Sequence, residues 1–377
     1  MEEKTLILIV DDEDDIRENL RDFAEFKGFE VVEASNGRQA LDLLDRHWPQ
    51  LILSDLMMPD VTGLQLLQEL MNRGVDIPVV IMTAFGTMEY AVEAMKSGAA
   101  DFVTKPIDLT YLLKVMERVL KRSAMEQKIK EQQRQLEEDL NHAAVIQRSM
   151  LPEPFETPNF SFHYRFHPLI AIGGDYLTLH QFNSRKFAVA LYDVSGHGVS
   201  AALTASLAHN HLLRLLAEDL PPSRTVDLLN RFVDRKMVKS SMFITMVVSV
   251  IDCEKGILTL CNAGHPDVLI WKRNKDILEL VSSHIPPIGL CENILSDQNE
   301  TRIEIESGDR LMFYTDGVTE ARNPQNVMLG KNGLKEMAAK HCRLLPEAFL
   351  RQFFLDLNEY QAGEADDDMT FVVVDIK

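Results

Sequence analysis

Leu6-Ile7-Leu8-Ile9-Val10-Asp11-Asp12 is an apolar run that ends in two acids. Similar short runs follow it at residues 30–33, 51–54, 79–82 and 101–103. Amphipathic stretches separate these runs, for example residues 16–26, and most of them end at a glycine such as Gly28. Short apolar strands that alternate with helices predict an α/β domain: a doubly wound, five-stranded parallel sheet with both faces covered.

The chain has 377 residues, of which 46% are hydrophobic and 26% charged, and its formal net charge is −19. This length predicts two domains and a connector. The composition is typical of a soluble globular protein, and the negative charge argues against nucleic acid or an anionic membrane surface as the partner. The sequence shows no signal peptide, no apolar run of ~20 residues and no zinc-like or C-x-x-C cysteine spacing. We therefore expect a cytoplasmic protein with reduced thiols.

Residues 109–150 contain no proline or glycine and predict one long helix, or two nearly continuous ones. A seven-residue spacing relates Ile129, Leu136, Ala143 and Met150, with Leu140 beside them. This seam favours a short parallel coiled coil in a homodimer over an isolated solvated helix. Three glutamines weaken the seam: Gln132, Gln133 and Gln147. The predicted boundaries are residues 1–122 for the α/β domain, 123–150 for the linker and 151–377 for a second domain.

The second domain mixes strands joined by tight turns with a few helices. Alternating aromatic residues predict a half-buried strand at residues 160–166. Further strands are expected at residues 187–194, 243–251, 256–261, 268–271, 302–306, 310–315 and 370–375. Helices are expected at residues 199–216, 223–237 (with Ser223 as its N-cap), 334–339 and 346–358. Strands joined by hairpins predict an α+β layered domain with antiparallel sheets.

One set of polar residues follows the strands of the first domain. Ligands of open parallel sheets bind outside the carboxyl ends of the strands. Five residues are predicted to converge there: Asp11, Asp12, Asp55, Thr83 and Lys105. Three carboxylates predict a Mg²⁺ pocket, and the lysine and threonine supply a positive charge and a hydroxyl for phosphoryl oxygens. The pattern therefore predicts a site that accepts a phosphoryl group.

Over residues 4 to about 122 this pattern resembles the receiver domains of two-component response regulators. The matching motifs are Ile9-Val10-Asp11-Asp12, Ser54-Asp55-Leu56-Met57-Met58-Pro59, Met82-Thr83-Ala84 and Thr104-Lys105-Pro106. The resemblance implies that Asp55 is the phospho-acceptor and that a sensor histidine kinase is the partner. It also implies a receiver Mg²⁺ held by Asp11, Asp12, Asp55 and the Met57 carbonyl, and switch residues Thr83, Phe102 and Lys105. Plain core packing is an alternative role for Phe102.

A second set of acids lies near predicted strand ends of the second domain: Asp175, Asp193, Asp316 and Asp367. Glycines stand directly beside Asp175 and Asp316, and glycine lets the backbone approach a bound ion closely. Dispersed carboxylates of this kind are what a two-metal site requires. Two divalent cations ~4 Å apart lower the pKa of a bridging water and hold a phosphate for in-line attack.

In their order, these motifs resemble the PPM-type metal-dependent serine/threonine phosphatases, in particular the SpoIIE-like branch, over about residues 140–377. The match includes residues 144–152 and Asn262-Ala263-Gly264-His265-Pro266. The resemblance implies that Asp175 bridges two Mn²⁺ or Mg²⁺ ions. The remaining metal ligands would be Asp193, the Val194 carbonyl, Asp316 and Asp367, and the four acids would be catalytic.

The chain departs from that family at two positions. Thr178 stands where the family often has a second acid, which weakens one metal position. Ser195 stands where eukaryotic relatives have a histidine directly after the Asp-Gly pair, a candidate general acid. His197 lies nearby and is an alternative acid, although a histidine between glycines more often serves loop structure.

Together the two sites predict a phosphatase that is controlled by phosphorylation of Asp55. Similar proteins dephosphorylate an anti-sigma-factor antagonist in a partner-switching pathway. The alternative is an adaptor that binds a sigma factor or antagonist without catalysis, but a scaffold has no reason to keep four metal carboxylates. We expect the linker to couple the two sites by moving the helix at residues 199–216, next to Asp193.

Overall fold

The structure is a computed structural model that describes residues 4–84, 88–196, 198–237, 242–295, 299–361 and 367–377. The chain divides into two compact units, an N-terminal unit at Met1–Leu136 and a C-terminal unit at Glu137–Lys377. Among the described helices, none has both the length and the apolar character needed to span a membrane.

The N-terminal unit contains the predicted parallel sheet. Its strands are β1 (Leu6–Val10), β2 (Glu30–Ala34), β3 (Leu51–Asp55), β4 (Val79–Ala84) and β5 (Asp101–Lys105). Its helices are α1 (Asp14–Phe26), α2 (Gly37–Leu44), α3 (Gly63–Asn72), α4 (Met88–Lys96) and the start of α5 (Leu109–Ser149). The strand order is β2-β1-β3-β4-β5, and every pairing is parallel. The predicted doubly wound α/β fold is therefore confirmed.

Alternation along β1 shows why the sheet is covered on both sides. Leu8 and Val10 belong to one apolar core, whereas Ile7 and Ile9 belong to a second core that also includes Leu112 of α5. Because successive side chains of a strand point to opposite faces, a continuous apolar run fits a strand that is buried on both faces. Asp11 follows this strand directly and is itself fully buried.

The predicted long helix is a single helix. Helix α5 covers 41 residues without interruption and ends at Ser149, before the prolines that follow. Ile129 and Leu136 of the proposed seam are exposed, whereas Leu140 and Ala143 pack partly against the C-terminal unit. The second half of the seam therefore has neighbours within its own chain.

The C-terminal unit is built from two antiparallel sheets. Its strands are β6 (Phe155–Glu156), β7 (Phe160–His167), β8 (Tyr176–Gln181), β9 (Lys186–Val194), β10 (Ile244–Asp252), β11 (Ile257–Ala263), β12 (Val268–Lys272), β13 (Ile277–Val281), β14 (Thr301–Glu304), β15 (Arg310–Tyr314) and β16 (Met369–Ile376). Its helices are α6 (Val199–Leu216), α7 (Pro222–Met237), α8 (Asp316–Glu320), α9 (Gly330–His341) and α10 (Pro346–Gln361). The sheet orders are β14-β11-β10-β9-β8 and β13-β12-β15-β16-β7-β6.

The two sheets and their helices form layers, as the alternation of β15 shows. Leu311 and Phe313 enter the core that contains the other sheet, whereas Met312 and Tyr314 pack into a core with α9 and α10. Helices α6 and α7 cover the outer face of the first sheet. The predicted layered α+β domain with antiparallel sheets is confirmed.

One local expectation for this unit is wrong. Ser223 is not an N-cap, because α7 begins at Pro222. The Ser223 hydroxyl and backbone N–H instead both donate to the Glu300 carboxylate, at 2.8 and 3.0 Å. Strand β8 and the short helix α8 were not expected from the sequence, although each begins beside a candidate metal ligand.

Candidate functional site

The carboxyl edge of the parallel sheet brings together three of the predicted receiver residues. Lys105 Nζ lies 2.9 Å from Asp11 Oδ2 and 2.6 Å from Asp55 Oδ1. The other oxygen of Asp55 accepts a hydrogen bond of 2.9 Å from the Met57 backbone N–H. Asp11 and Asp55 are both buried, so this lysine offsets part of the charge of two carboxylates that have little access to water.

The pKa values follow from this arrangement. Burial raises the pKa of Asp55, although its hydrogen bond with Lys105 lowers it in part. Burial acts in the opposite direction on Lys105, but its hydrogen bonds to Asp55 and Asp11 raise the lysine pKa overall. Burial and the ion pair therefore act in opposite directions on both groups.

The remaining predicted receiver residues lie around this centre. Asp12 is exposed, Thr83 is buried at the end of β4, and Phe102 is partly buried against one of the two receiver cores. The side chain of Met57 is 64% exposed, so only its backbone is held close to Asp55. The geometry is compatible with both proposed roles of Phe102.

Asp175 is the most enclosed acid of the second set. It lies in the loop before β8 and is 1% exposed. Its Oδ2 accepts hydrogen bonds from the hydroxyls of Thr315, at 2.7 Å, and Thr370, at 2.6 Å. These threonines lie at the end of β15 and in β16, so two strands far away in sequence orient one carboxylate.

The acids of this set are close enough to affect the ionisation of their neighbours. Burial and then the neighbouring Asp193 raise the pKa of Asp175 well above its usual range. Burial raises the pKa of Asp193 to about 8, with further contributions from Asp316, Asp367 and Asp368. Burial and Asp367 also raise the pKa of Asp316. The four predicted acids therefore share one region of strong negative potential.

Asp368 is a member of this region that the sequence analysis did not assign to the site. Its Oδ1 accepts from the Leu169 backbone N–H and its Oδ2 from the Gly174 backbone N–H, both at 2.7 Å. Burial raises its pKa, and these two hydrogen bonds lower it in part. Asp368 thus fixes the backbone of the loop that carries Asp175. Its position next to Asp367, in a run of acids, was the available signal.

Glycine is required at two positions because neighbouring backbone approaches closely. A Cβ at Gly174 would lie 2.7 Å from the Val194 carbonyl oxygen and 3.1 Å from Asp193 Oδ1. A Cβ at Gly317 would lie 2.1 Å from the Asp368 carbonyl oxygen. These contacts explain why glycines stand beside the acids: they let strands and loops meet at the site.

The donor set fits divalent cations. Within the described ranges, no lysine or arginine forms an ion pair with Asp175, Asp193, Asp316, Asp367 or Asp368. Buried carboxylates without a cationic partner are costly, and hard oxygen ligands of this kind are those that Mg²⁺ and Mn²⁺ accept. The described side chains do not form a preorganised group of three or more acidic, histidine or cysteine ligands.

The two family departures have different surroundings. The hydroxyl of Thr178, in β8, lies 2.9 Å from Nδ1 of His209, in α6. Both residues are buried, so the threonine is part of a buried polar pair. Ser195 Oγ accepts a hydrogen bond of 2.9 Å from the Phe243 backbone N–H, which is a structural contact. His197, the alternative acid, lies outside the described residues.

Gln147 is a second residue that the sequence analysis did not assign to the site. It lies in the last turns of α5, is buried, and its side chain amide bonds to the backbone of Gly173 in both directions. In the sequence it was noted only as a polar interruption of the heptad seam. Its place within the motif at residues 144–152 was the signal that pointed to a separate role.

Comparison with curated proteins gives partial matches. The chain is 41% identical over 124 residues to the regulatory protein AtoC of Escherichia coli, covering 33% of this chain and 27% of AtoC. It is 38% identical over 117 residues to the response regulator MprA of Mycolicibacterium vanbaalenii, covering 31% of this chain and 51% of MprA. The chain therefore spans about half or less of the length of these relatives.

Comparison with solved structures shows the fold of the larger unit. The SiaA-PP2C domain of Pseudomonas aeruginosa matches with a TM-score of 0.57 and 17% identity, over 65% of this chain and 98% of that domain. The RsbU and RsbW domains of a Mycobacterium tuberculosis protein match with a TM-score of 0.52 and 22% identity, over 58% of this chain and 60% of that one. At these identities the likeness concerns the fold alone.

Two protein families match the sequence itself. The response regulator receiver domain matches residues 7–117. The family described as Stage II sporulation protein E (SpoIIE) matches residues 183–377, which is more than half of the chain and includes Asp193, Asp316 and Asp367. The chain therefore belongs to the Stage II sporulation protein E (SpoIIE) family, with a PP2C-like phosphatase domain that is preceded by a response regulator receiver domain.

Proposed function

We propose that this protein is a response regulator in which phosphorylation of Asp55 controls a metal-dependent protein serine/threonine phosphatase. The observation that carries the proposal is the cluster of acids around the buried Asp175, in which Asp193, Asp316 and Asp367 are partly buried. Burial and the neighbouring acids raise the pKa values of Asp175, Asp193 and Asp316, and none of the acids forms an ion pair with a lysine or arginine among the described residues. Such a cluster destabilises the fold, so a function that needs the negative charge explains why it is present.

The proposed metal ligands are Asp175, Asp193, the Val194 carbonyl, Asp316 and Asp367. Two Mn²⁺ or Mg²⁺ ions held there would supply a water of lowered pKa and neutralise the charge of the phosphate. Thr315 and Thr370 both donate to Oδ2 of Asp175 and so fix the plane of this carboxylate. Gly174 keeps the space in front of the Val194 carbonyl free of side-chain atoms.

The proposed input site is the carboxyl edge of the parallel sheet. Asp55 would accept the phosphoryl group from a sensor histidine kinase, beside a Mg²⁺ held by Asp11, Asp12, Asp55 and the Met57 carbonyl. Lys105 already contacts Asp55 and would transfer its contact to a phosphoryl oxygen. Thr83 would donate its hydroxyl to the same group, and Phe102 would respond to the change.

We further propose the domain boundaries 1–122, 123–150 and 151–377 for receiver, linker and phosphatase, and a homodimer through the linker. Ile129 and Leu136 are exposed apolar residues of α5, which supports the packing of a second copy of the helix against this part of the linker. The proposed substrate is a phosphorylated anti-sigma-factor antagonist. Membership of the SpoIIE family supports this substrate.

The test is a phosphatase assay on the full chain with p-nitrophenyl phosphate and with a phosphoserine protein, in Mn²⁺, in Mg²⁺ and in EDTA. We expect hydrolysis that requires the metal and is lost in Asp193→Ala. Glu218→Ala removes an exposed acid of the same unit and serves as the matched control, which should retain activity. Metal-independent or absent hydrolysis of both substrates would instead support an adaptor that binds its partner without catalysis.

A further inference from the structure

We propose that Gln147, near the end of the linker helix, is a positioning residue that holds the loop bearing Asp175. This inference rests on the proposed function, because it assigns a role to Asp175 as a metal ligand. It concerns a residue outside the acid cluster, 28 positions before Asp175 in the chain and on a different element.

The contact between Gln147 and the loop uses both ends of one amide. Gln147 Nε2 donates a hydrogen bond of 2.7 Å to the Gly173 carbonyl oxygen, and Oε1 accepts one of 3.2 Å from the Gly173 N–H. Gln147 is 5% exposed, whereas the adjacent Ile146 and Arg148 are exposed. An uncharged amide can donate and accept at once, so this side chain matches the backbone of one residue without burying a charge.

Other parts of the chain hold the next two residues of this loop, Gly174 and Asp175. The Gly174 N–H donates to Asp368, and the Gly174 carbonyl accepts from Val194 at 3.3 Å. Asp175 accepts from the two threonines. Asp368 also excludes a side chain at Gly173, since a Cβ there would lie 2.2 Å from Asp368 Oδ2. Gln147 thus completes the set of contacts that fix the backbone before the metal ligand.

Apolar packing brings the helix to this loop, and the amide contact sets the orientation of the loop. Ala144, one turn before Gln147, packs with Ile172 of the loop and with Ala202 of α6. Helix α6 follows the segment that carries Asp193 and Val194. The apolar cluster therefore explains docking of the helix, while the two directional hydrogen bonds of Gln147 explain a fixed loop geometry.

The test compares Gln147→Leu and Gln147→Glu with Gln133→Leu in the full chain. Gln147→Glu keeps an acceptor for the Gly173 N–H but replaces the donor by a second oxygen that faces the Gly173 carbonyl. Gln133 is an exposed glutamine of the same helix, so Gln133→Leu controls for the loss of an amide from α5. All variants carry Asp55→Ala, which removes the phospho-acceptor carboxylate from the receiver's Mg²⁺ site so that its contribution to the signal is small.

Two measurements are made on each variant: Mn²⁺ binding by electron paramagnetic resonance of the free ion, and backbone amide hydrogen exchange over residues 171–176. For both Gln147 variants we expect the Kd for Mn²⁺ to rise about tenfold or more, the size typical of a lost outer-shell contact. Exchange of the loop amides should become faster by a similar factor. Gln133→Leu should match the parent in both.

Unchanged Mn²⁺ affinity and unchanged exchange in the Gln147 variants would overturn the proposal. Faster exchange with unchanged Mn²⁺ affinity would also overturn it, because Gln147 would then stabilise the loop without positioning the ligand. If Gln147→Leu fails to fold, the proposal is tested by Gln147→Glu alone, because glutamate keeps the shape of the side chain. Neither readout needs a substrate, so a parent protein that binds Mn²⁺ but hydrolyses nothing would contradict the proposed function and leave this inference intact.

Discussion

The Thr370 hydroxyl donates a hydrogen bond of 2.6 Å to Asp175 Oδ2, across 195 positions of sequence. The Thr370 backbone N–H in turn donates to Thr315 Oγ1, at 2.9 Å, and Thr315 donates to the same oxygen of Asp175. The two threonines and the acid therefore form a closed, buried hydrogen-bonded group. Hydrogen bonds to an ionised carboxylate stabilise its charged form, which is the form that binds a cation.

Thr370→Val should weaken metal binding, because it removes one of these donors while it preserves the shape of the side chain. We expect the Mn²⁺ concentration for half-maximal phosphatase activity to rise about 10–100-fold, as for other outer-shell changes. Thr178→Val is the matched control, since Thr178 is also buried but its hydroxyl bonds to His209. The same Mn²⁺ dependence in Thr370→Val and in the parent would show that Thr315 alone orients Asp175.

Asp193→Asn should abolish hydrolysis and at the same time stabilise the metal-free protein. Burial and three neighbouring acids raise the pKa of Asp193 to about 8, so its charged form is unfavourable in the folded state. The fold therefore loses stability as pH rises from the unfolded pKa of ~4 toward 8, and the asparagine variant should lose less. At pH 8 in EDTA we expect the asparagine variant to have the larger free energy of unfolding, with an upper bound of about 5 kcal/mol for a shift of this size.

Urea unfolding of both proteins in EDTA measures this difference. Glu218→Gln neutralises an exposed acid of the same unit and should change the free energy of unfolding little. Equal stability of Asp193→Asn and its parent would mean that the acids do not repel one another strongly. In saturating Mn²⁺ the order should reverse, since the cation stabilises the parent by mass action.

The sequence predicted the receiver domain almost completely, for a physical reason. In a parallel sheet each strand is a continuous apolar run, and the residue after it must lie at one edge, so position in sequence gives position in space. Asp11, Asp55 and Lys105 lie in contact there, as the pattern indicated. The acids Asp175 and Asp193 were found in the same way, from glycines and strand ends.

The residues that the sequence analysis missed act through backbone contacts. Asp368 and Gln147 each hold peptide groups of the Gly173–Gly174 loop, and such contacts leave no periodic pattern. Gln147 even counted against the predicted coiled coil, because a polar residue in a heptad seam is ordinarily a weakness. Its partner is a loop 26 residues away, which only the three-dimensional structure brings to the helix.

Occupation of Asp55 should change phosphatase turnover. Lys105 Nζ lies 2.6 Å from Asp55 Oδ1, so a phosphoryl group on this oxygen must displace or share the lysine. Beryllofluoride with Mg²⁺ mimics that group. We expect it to change kcat severalfold in the parent and to have no effect in Asp55→Ala. Asp45→Ala removes an exposed acid of the receiver and is the control, which should respond like the parent. The same kcat in all of these states would show that occupation of Asp55 does not affect catalysis.

His265 should make the C-terminal unit sensitive to acid. Burial lowers the pKa of His265 to about 3, and its Nδ1 lies 3.0 Å from Thr245 Oγ1. A histidine of the unfolded chain titrates near pH 6.5, so between these two values the unfolded state binds more protons than the folded state. The stabilisation is complete above pH ~6.5, and the free energy of unfolding falls by up to about 1.4 kcal/mol per pH unit below it.

His265→Gln should therefore reduce the slope of the free energy of unfolding against pH between about 6.5 and 5, because glutamine takes up no proton in the unfolded state. His284→Gln replaces an exposed histidine close in sequence and should leave the slope as in the parent. Urea unfolding at half-unit pH steps in EDTA measures the slopes. Parallel curves for His265→Gln and the parent would mean that His265 is protonated in the folded protein, and that Asn262 and Thr245 tolerate a charged imidazole next to them.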